Sequence, residues 1–245
     1  MNVIETSELG KRYRRRWALR DCTLTVPGGH IVALVGPNGA GKTTLLTMAV
    51  GLNRPTAGTL TVLGGEPPGS PGALDHIAFV AQDAPLYRNL PVADMLRVAR
   101  SLNRCWDQRR ADDRLERLAI PPRQKVGELS GGQKAQLALT IALARRPGLL
   151  VLDEPLAALD PVARDDFMTS VVEAAREDDI SVVLSSHVLA ELERVATYLI
   201  VLAGGQVQVA GSVKDLLASH GAGLEEIALR HLRAGVPTTS GRDPR

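Results

Sequence analysis

The residues best equipped for chemistry form one short run, Gly36-Pro37-Asn38-Gly39-Ala40-Gly41-Lys42-Thr43, which fits G-x-x-x-x-G-K-[ST] at every position. Glycines at this spacing let the backbone curl until its N–H groups point inward, forming a cradle for phosphate oxygens. Lys42 would reach the β- and γ-phosphates of a nucleotide, and the Thr43 hydroxyl would hold Mg2+. An apolar strand, Ile31 to Val35, leads into the loop, and a helix from about Thr43 to Val50 leads out with its positive end toward the same phosphates. In that setting a chance Gly-rich turn is the poorer reading.

A second acidic element complements it. The apolar run Leu149 to Leu152 ends in Asp153, which puts a carboxylate at the sheet edge where Mg2+ would sit, and Glu154 follows, placed to orient and polarise an attacking water. Taken alone, the same residues could be an acidic helix cap ahead of Pro155. Beside a phosphate loop that reading is weak. A third element, Leu129-Ser130-Gly131-Gly132-Gln133, places a Ser and a Gly-Gly pair at a helix start, a further nest of N–H groups with a dipole behind it. A chain that already grips phosphates in its first loop has no use for another, unless two copies face each other head to tail. Read in isolation it is a capped helix start.

Together these motifs identify a resemblance to the ABC ATPase family, of which Leu-Ser-Gly-Gly-Gln is the signature. The resemblance spans residues 3 to 232 and implies a nucleotide-binding set of Gly36, Pro37, Asn38, Gly39, Ala40, Gly41, Lys42, Thr43 and Thr44, joined by Ser130, Gly131, Gly132 and Gln133. It also implies ATP and Mg2+ as cofactors, with Thr43, Gln82 and Asp153 around the metal and Lys42, Glu154 and His187 as the catalytic residues. Gln82 resembles the glutamine that contacts Mg2+ and couples to a permease, and His187 resembles the histidine that contacts the γ-phosphate. Ala158-Leu159-Asp160 is similar to the loop that crosses the dimer interface. Tyr13 resembles the aromatic residue that stacks on adenine, although Trp17 is near enough for either ring to serve. The pattern departs at Ala157, where a Ser is frequent, and at Pro91, where a hydroxyl residue is common.

These sites need a scaffold, and the remaining pattern describes one. Short apolar strands alternate with helical stretches, as in an α/β fold whose sheet is mostly parallel and covered on both faces. Further strands are expected at Ile180 to Leu184 and Tyr198 to Leu202, with a return strand at Gln206 to Val209. Residues 1–28 and about 56–65 alternate and carry turn signals, which predicts a small antiparallel layer. Helical spacing among many arginines from Leu86 onward predicts an inserted helical subdomain over about 86–135. The expected organisation is thus a P-loop NTPase core with one ATPase domain over 1–235 and a flexible tail over 236–245. Ser212 is placed to cap a short helix, and Leu224 to Leu232 has helical spacing.

Composition narrows the function classes. Among 245 residues, 29 Lys and Arg stand against 27 Asp and Glu, a formal charge of +2, which speaks against a surface built for nucleic acid. The crowded Lys11, Arg12, Arg14, Arg15 and Arg16 could meet lipid head groups or nucleic acid, but a solvated turn between edge strands explains them without a matching basic patch elsewhere. Cys22 and Cys105 form no metal-ligand spacing and fit a reducing cytosol. No apolar run reaches the roughly 18 residues of a membrane helix, and the first residues lack a secretory pattern.

The family resemblance then implies a cytoplasmic subunit held peripherally at the inner face of the cell membrane by membrane-spanning permease subunits. It would pair with itself or with a homologous ATPase. The linker Leu52 to Gly58 and the stretch Leu224-Glu225-Glu226 look like exporter-type ATPases. The alternative, an ABC ATPase acting on ribosomes or DNA, is disfavoured by the single set of motifs and the lack of heptads or Cys clusters.

Overall fold

The computed structural model describes residues 1–83, 85–187, 190 and 192–234. The chain opens with a hairpin of β1 (Asn2–Tyr13) and β2 (Arg16–Pro27), then enters the main sheet through β3 (Ile31–Val35), followed by α1 (Lys42–Ala49). Next, β4 (Ala57–Val62) returns to the hairpin, and α2 (Pro71–His76) leads to β5 (Ile77–Val80). The helices α3 (Val92–Leu102), α4 (Gln108–Arg117) and α5 (Gly131–Ala144) precede β6 (Leu149–Asp153). Then come α6 (Pro161–Glu177), β7 (Ser181–Ser186), β8 (Tyr198–Ala203), β9 (Gln206–Ser212), α7 (Val213–His220) and α8 (Leu224–Ala234).

Six strands form the main sheet in the order β5-β6-β7-β3-β8-β9, the first five parallel and β9 antiparallel to β8. The small sheet, β2-β1-β4, is antiparallel throughout. Both faces of the main sheet are buried, which explains why its strands read as unbroken apolar runs. Val32, Leu34, Leu149, Val151 and Val183 pack with Leu45, Leu46 and Met48 of α1 and with Leu9, Leu19 and Leu24 of the small sheet. Their strand neighbours Ala33, Val35, Leu150, Leu152, Val182 and Leu184 turn to the other face, against Leu139 and Leu143 of α5 and Phe167 and Val171 of α6.

The expected strands are therefore all present: Ile31–Val35 keeps its expected bounds, and the later strands differ at one or both ends by one to three residues. The helical insertion has its own small core, in which Val92, Met95 and Leu96 meet Ala111, Leu115 and Leu137. Its expected end at 135 is not a structural break. Helix α5 runs on to Ala144, because from Leu137 onward it is apolar apart from the buried Thr140 and serves the insertion and the main core at once. Pro91, where a hydroxyl residue was expected to be usual, precedes α3 without any side-chain cap. Ser212 does cap its helix, accepting from the Asp215 N–H at 3.1 Å. The tail expected over 236–245 lies outside the described residues.

Phe167 is the bulkiest of the fully enclosed side chains and lies where α6 meets the sheet. Phe167→Ala is expected to lower unfolding stability by about 3–5 kcal/mol in urea titrations, and a loss under about 1 kcal/mol would contradict this packing.

Candidate functional site

Strand β3 sits between β7 and β8, so the loop that leaves its C-terminal end emerges at the centre of the parallel sheet. This is where open α/β sheets hold ligands. Packing, as well as flexibility, dictates two of the loop glycines. A Cβ at Gly36 would lie 2.2 Å from the Leu202 carbonyl oxygen, and Gly41, at φ 107°, would bring one to 2.6 Å from the Ala18 oxygen. Gly41 precedes α1, whose first turn carries no acid and whose start has no side-chain cap. The N–H groups of that first turn therefore receive no side-chain cap, and Gly41, Lys42, Thr43 and Thr44 line the loop's hollow. Lys42 is 5% exposed and donates to the Gly36 carbonyl at 2.8 Å.

The acidic pair arrives from the neighbouring strands. Asp153 is the last residue of β6 and stands in register with Ser185 of β7. The buried Ser185 hydroxyl donates to Asp153 Oδ1 at 2.7 Å and accepts the Glu154 N–H at 2.8 Å. One small side chain thereby fixes the Asp153 carboxylate and the backbone that carries Glu154. Glu154 itself adopts φ +49°, a left-handed turn that a non-glycine residue takes only when its surroundings impose it. No helix starts there, so the capping reading of Glu154 fails.

From this turn the Glu154 carboxylate reaches Lys42 Nζ at 3.1 Å and His187 Nδ1 at 2.7 Å. Burial alone would push the Glu154 pKa up. The hydrogen bonds and charges of His187 and Lys42 outweigh burial and hold the carboxyl below the usual glutamate range, so it is ionised near neutral pH.

Around these groups lies a cavity of about 390 Å3. It is lined by Tyr13, Ala18, Asn38, Gly39, Gly41, Lys42, Thr43, Thr44, Gln82, Glu154, Ala157 and His187. Most of the expected site residues are thus brought together, although they come from five separate stretches of chain. Gly36, Pro37 and Ala40 shape the loop without lining the hollow. Asp153 sits just behind it, 3% exposed. Tyr13 faces the cavity. Trp17, by contrast, pairs opposite Arg12, lies across Gly10 and has the Arg12 guanidinium 5.5 Å over its ring.

The expected metal set, Thr43, Gln82 and Asp153, offers a hydroxyl, an amide oxygen and a carboxylate, all hard oxygen donors of the kind Mg2+ takes. Among the described residues no group of three or more His, Cys, Asp or Glu could hold a metal ion by itself.

The signature residues are elsewhere. Ser130, Gly132 and Gln133 line a different groove, of about 580 Å3, with Arg114 and Asp160. Ser130 accepts the Gln133 N–H at 3.1 Å while the Gln133 side chain accepts the Ser130 N–H at 3.0 Å, a complete capping box for α5. Asp160 caps α6 through its side chain alone, accepting from the Val162 and Ala163 N–H groups at 3.0 Å. Sequence reasoning missed Ser185, whose only signal was a hydroxyl at the end of an apolar strand.

Comparison with known proteins agrees with this geometry. Residues 19–157 match the family model described as ABC transporter. The chain is 33% identical over 192 residues to the ABC transporter ATP-binding protein YtrB of Bacillus subtilis, covering 78% of this chain and 66% of that one. It is 31% identical to the Fe(3+) ions import ATP-binding protein FbpC 2 of Pectobacterium atrosepticum, over 86% of this chain and 63% of that one. For these two relatives the chain spans less than two thirds of their length. It is also 31% identical to the thiamine import ATP-binding protein ThiQ of Shigella flexneri, over 81% of this chain and 88% of the relative.

Among solved structures, the ATP binding subunit of an ABC transporter superposes with a TM-score of 0.80 at 27% identity, over 94% of this chain and 99% of the other. The dimeric bacterial ABC transporter cassette MJ0796 gives 0.74 at 25% identity, over 86% and 98%. With its phosphate loop, acidic pair and signature in these positions, the chain belongs to the ABC transporter family.

Proposed function

We propose that the chain is the ATP-binding and ATP-hydrolysing subunit of an ABC transporter, working as a dimer beside separate membrane-spanning subunits. The observation that carries this reading is the single cavity in which Tyr13, Lys42, Thr43, Gln82, Glu154 and His187 converge. Tyr13 stacks on the adenine, and the loop N–H groups with Lys42 hold the β- and γ-phosphates. Thr43, Gln82 and Asp153 hold Mg2+, which when bound supplies positive charge at the phosphate oxygens. Glu154 orients the water and takes its proton as the water oxygen bonds to the γ-phosphorus. The bond from that phosphorus to the ADP oxygen breaks, and ADP leaves with the electron pair. His187, bonded to Glu154, keeps the base aimed and meets the γ-phosphate.

Placement of the signature on a separate groove supports a head-to-tail pair in which each chain closes on the other's nucleotide. Ser130 Oγ already accepts from its own helix, which leaves its O–H to donate to a partner's phosphate. The dimeric structure of MJ0796 supports a pair of cassettes, and relatives named as ATP-binding proteins of transporters support the transport role. None of the described helices is long and apolar enough to cross a membrane; in this reading the permease subunits hold the chain at the inner face of the membrane. The exporter direction expected from the sequence finds no support among relatives named for import of thiamine and Fe(3+). Nothing in the comparisons favours ribosomes or DNA.

Glu154→Gln should leave ATP binding within about twofold of wild type and reduce turnover by roughly 10²-fold or more, measured by phosphate release. Undiminished hydrolysis would remove Glu154 from its role. Transport itself is tested by capturing the tagged chain from gently solubilised native membranes. A multi-helix membrane protein should co-purify, whereas recovery of ribosomal or DNA-bound proteins would leave the ATPase standing and overturn the transport claim.

A further inference from the structure

One buried charge takes no part in the nucleotide cavity. Arg114, on α4 of the helical insertion, is 5% exposed, and burial, followed by the nearby charges of Arg117 and Arg110, lowers its pKa to about 10. Its guanidinium donates to two neutral oxygens, Gln136 Oε1 at 3.3 Å and Thr140 Oγ1 at 3.4 Å, both on α5. Glu173 and Glu177 act on it through space. A cation buried against neutral partners is a poor stabiliser, since an apolar side chain of similar volume commonly serves folding as well or better. Its position suits another purpose.

The partners of Arg114 continue the chain of contacts. Gln136 Nε2 donates to Ser170 Oγ on α6 at 3.3 Å, and the Thr140 hydroxyl donates to the Gln136 carbonyl at 2.8 Å. The relay therefore runs from α4 through α5 to α6, meeting α5 at Gln136, about one and a half turns from its start, and α6 at Ser170, about two and a half turns from its start. At those starts the helices touch, because a Cβ at Gly132 would stand 2.8 Å from the Ala163 Cβ. Helix α5 begins at the signature and α6 begins at Asp160, so the relay fixes the relative setting of two helix ends that share one groove.

Helix α4 is anchored independently at its outer end. Arg110 makes a two-pronged pair with Asp178, including a bond of 2.6 Å, and Asp107 accepts from Arg146 Nε at 2.8 Å. These pairs hold the insertion to the core whether or not Arg114 is present.

We propose that Arg114 is a positioning residue for the signature, transmitting the placement of the helical insertion through Gln136 and Ser170 to the Ser130–Gln133 nest. The inference rests on the dimeric ATPase reading, in which the signature meets nucleotide held by the other chain. Arg114 then governs turnover in the pair and leaves nucleotide binding by the single chain alone. An error of about 1 Å in such a nest is enough to cost one to two orders of magnitude in rate.

The test compares Arg114→Met, Gln136→Leu and their double variant in the full-length chain. Three readouts are needed: kcat for ATP, affinity for a fluorescent ATP analogue in the single chain, and the thermal midpoint. Arg114→Met should lower kcat about tenfold or more, hold nucleotide affinity within about twofold, and leave the midpoint unchanged or raised. The double variant should be no slower than the worse single one, as expected for members of one relay. Ser170→Ala, which removes only the far end, supplies a milder variant should Arg114→Met fold poorly, and should lower kcat about threefold at unchanged affinity.

Wild-type kcat in folded Arg114→Met or Ser170→Ala overturns the inference. So does a parallel fall in kcat, affinity and midpoint, or simple additivity in the double variant. A wild-type chain that hydrolyses no ATP brings down the ATPase reading and this inference with it. An active wild type beside an equally active Arg114→Met removes the inference alone.

Discussion

The parallel pairing of β5, β6, β7, β3 and β8 is the constraint on which the rest depends, because it brings their C-terminal ends to one edge. Val35 stands opposite Ser186, and Asp153 opposite Ser185, so the phosphate loop, the acidic pair and His187 leave the sheet at adjoining points. A slip of one residue in any of these pairings would turn every side chain to the wrong face and carry Asp153 away from the cavity. The register is held by burial on both faces, since Val32 and Leu34 enter one core while Ala33 and Val35 enter the other. Chemistry at the edge is therefore secured by apolar packing well away from it.

Polar groups take over where the strands stop. Ser185 satisfies Asp153 and the Glu154 backbone together, which supports the left-handed turn that Glu154 needs to face Lys42 and His187. Conformational strain of this kind, of order 1–3 kcal/mol, persists only where neighbours over-determine it. The neighbouring Lys42 and His187 work in the same direction, because they hold the Glu154 carboxyl below the usual glutamate range against the pull of burial.

Much of this was legible in the sequence. The strands announced themselves as apolar runs, the phosphate loop carries a spacing with few alternative uses, and Asp153-Glu154 and the signature gained their meaning beside it. Other features were hidden for physical reasons. Tyr13 and Trp17 flank one hairpin turn and are equivalent as sequence. Only the folded structure separates them: Tyr13 lines the cavity, whereas Trp17 lies across Gly10 on the face it shares with Arg12. Helix α5 continues through residue 135 and contributes to two cores, a double role that no composition shift announces. Arg114 sits among Arg109, Arg110 and Arg117 with the spacing of a solvated helix face, and its burial depends on α5 and α6 packing over it. Ser185 is one of three serines in β7 and gains meaning only through its register with Asp153.

The central claim is that the nucleotide site is completed by a second copy of the chain, since the signature and the phosphate loop lie in separate hollows. The most direct measurement is solution mass by light scattering, using the hydrolysis-impaired Glu154→Gln chain with and without saturating ATP and Mg2+. The account expects the mass of one chain, 26.1 kDa, without nucleotide and a doubling with it, and expects Ser130→Arg to abolish the doubling. A mass that stays at one chain under saturating ATP, or a dimer indifferent to Ser130, would contradict it.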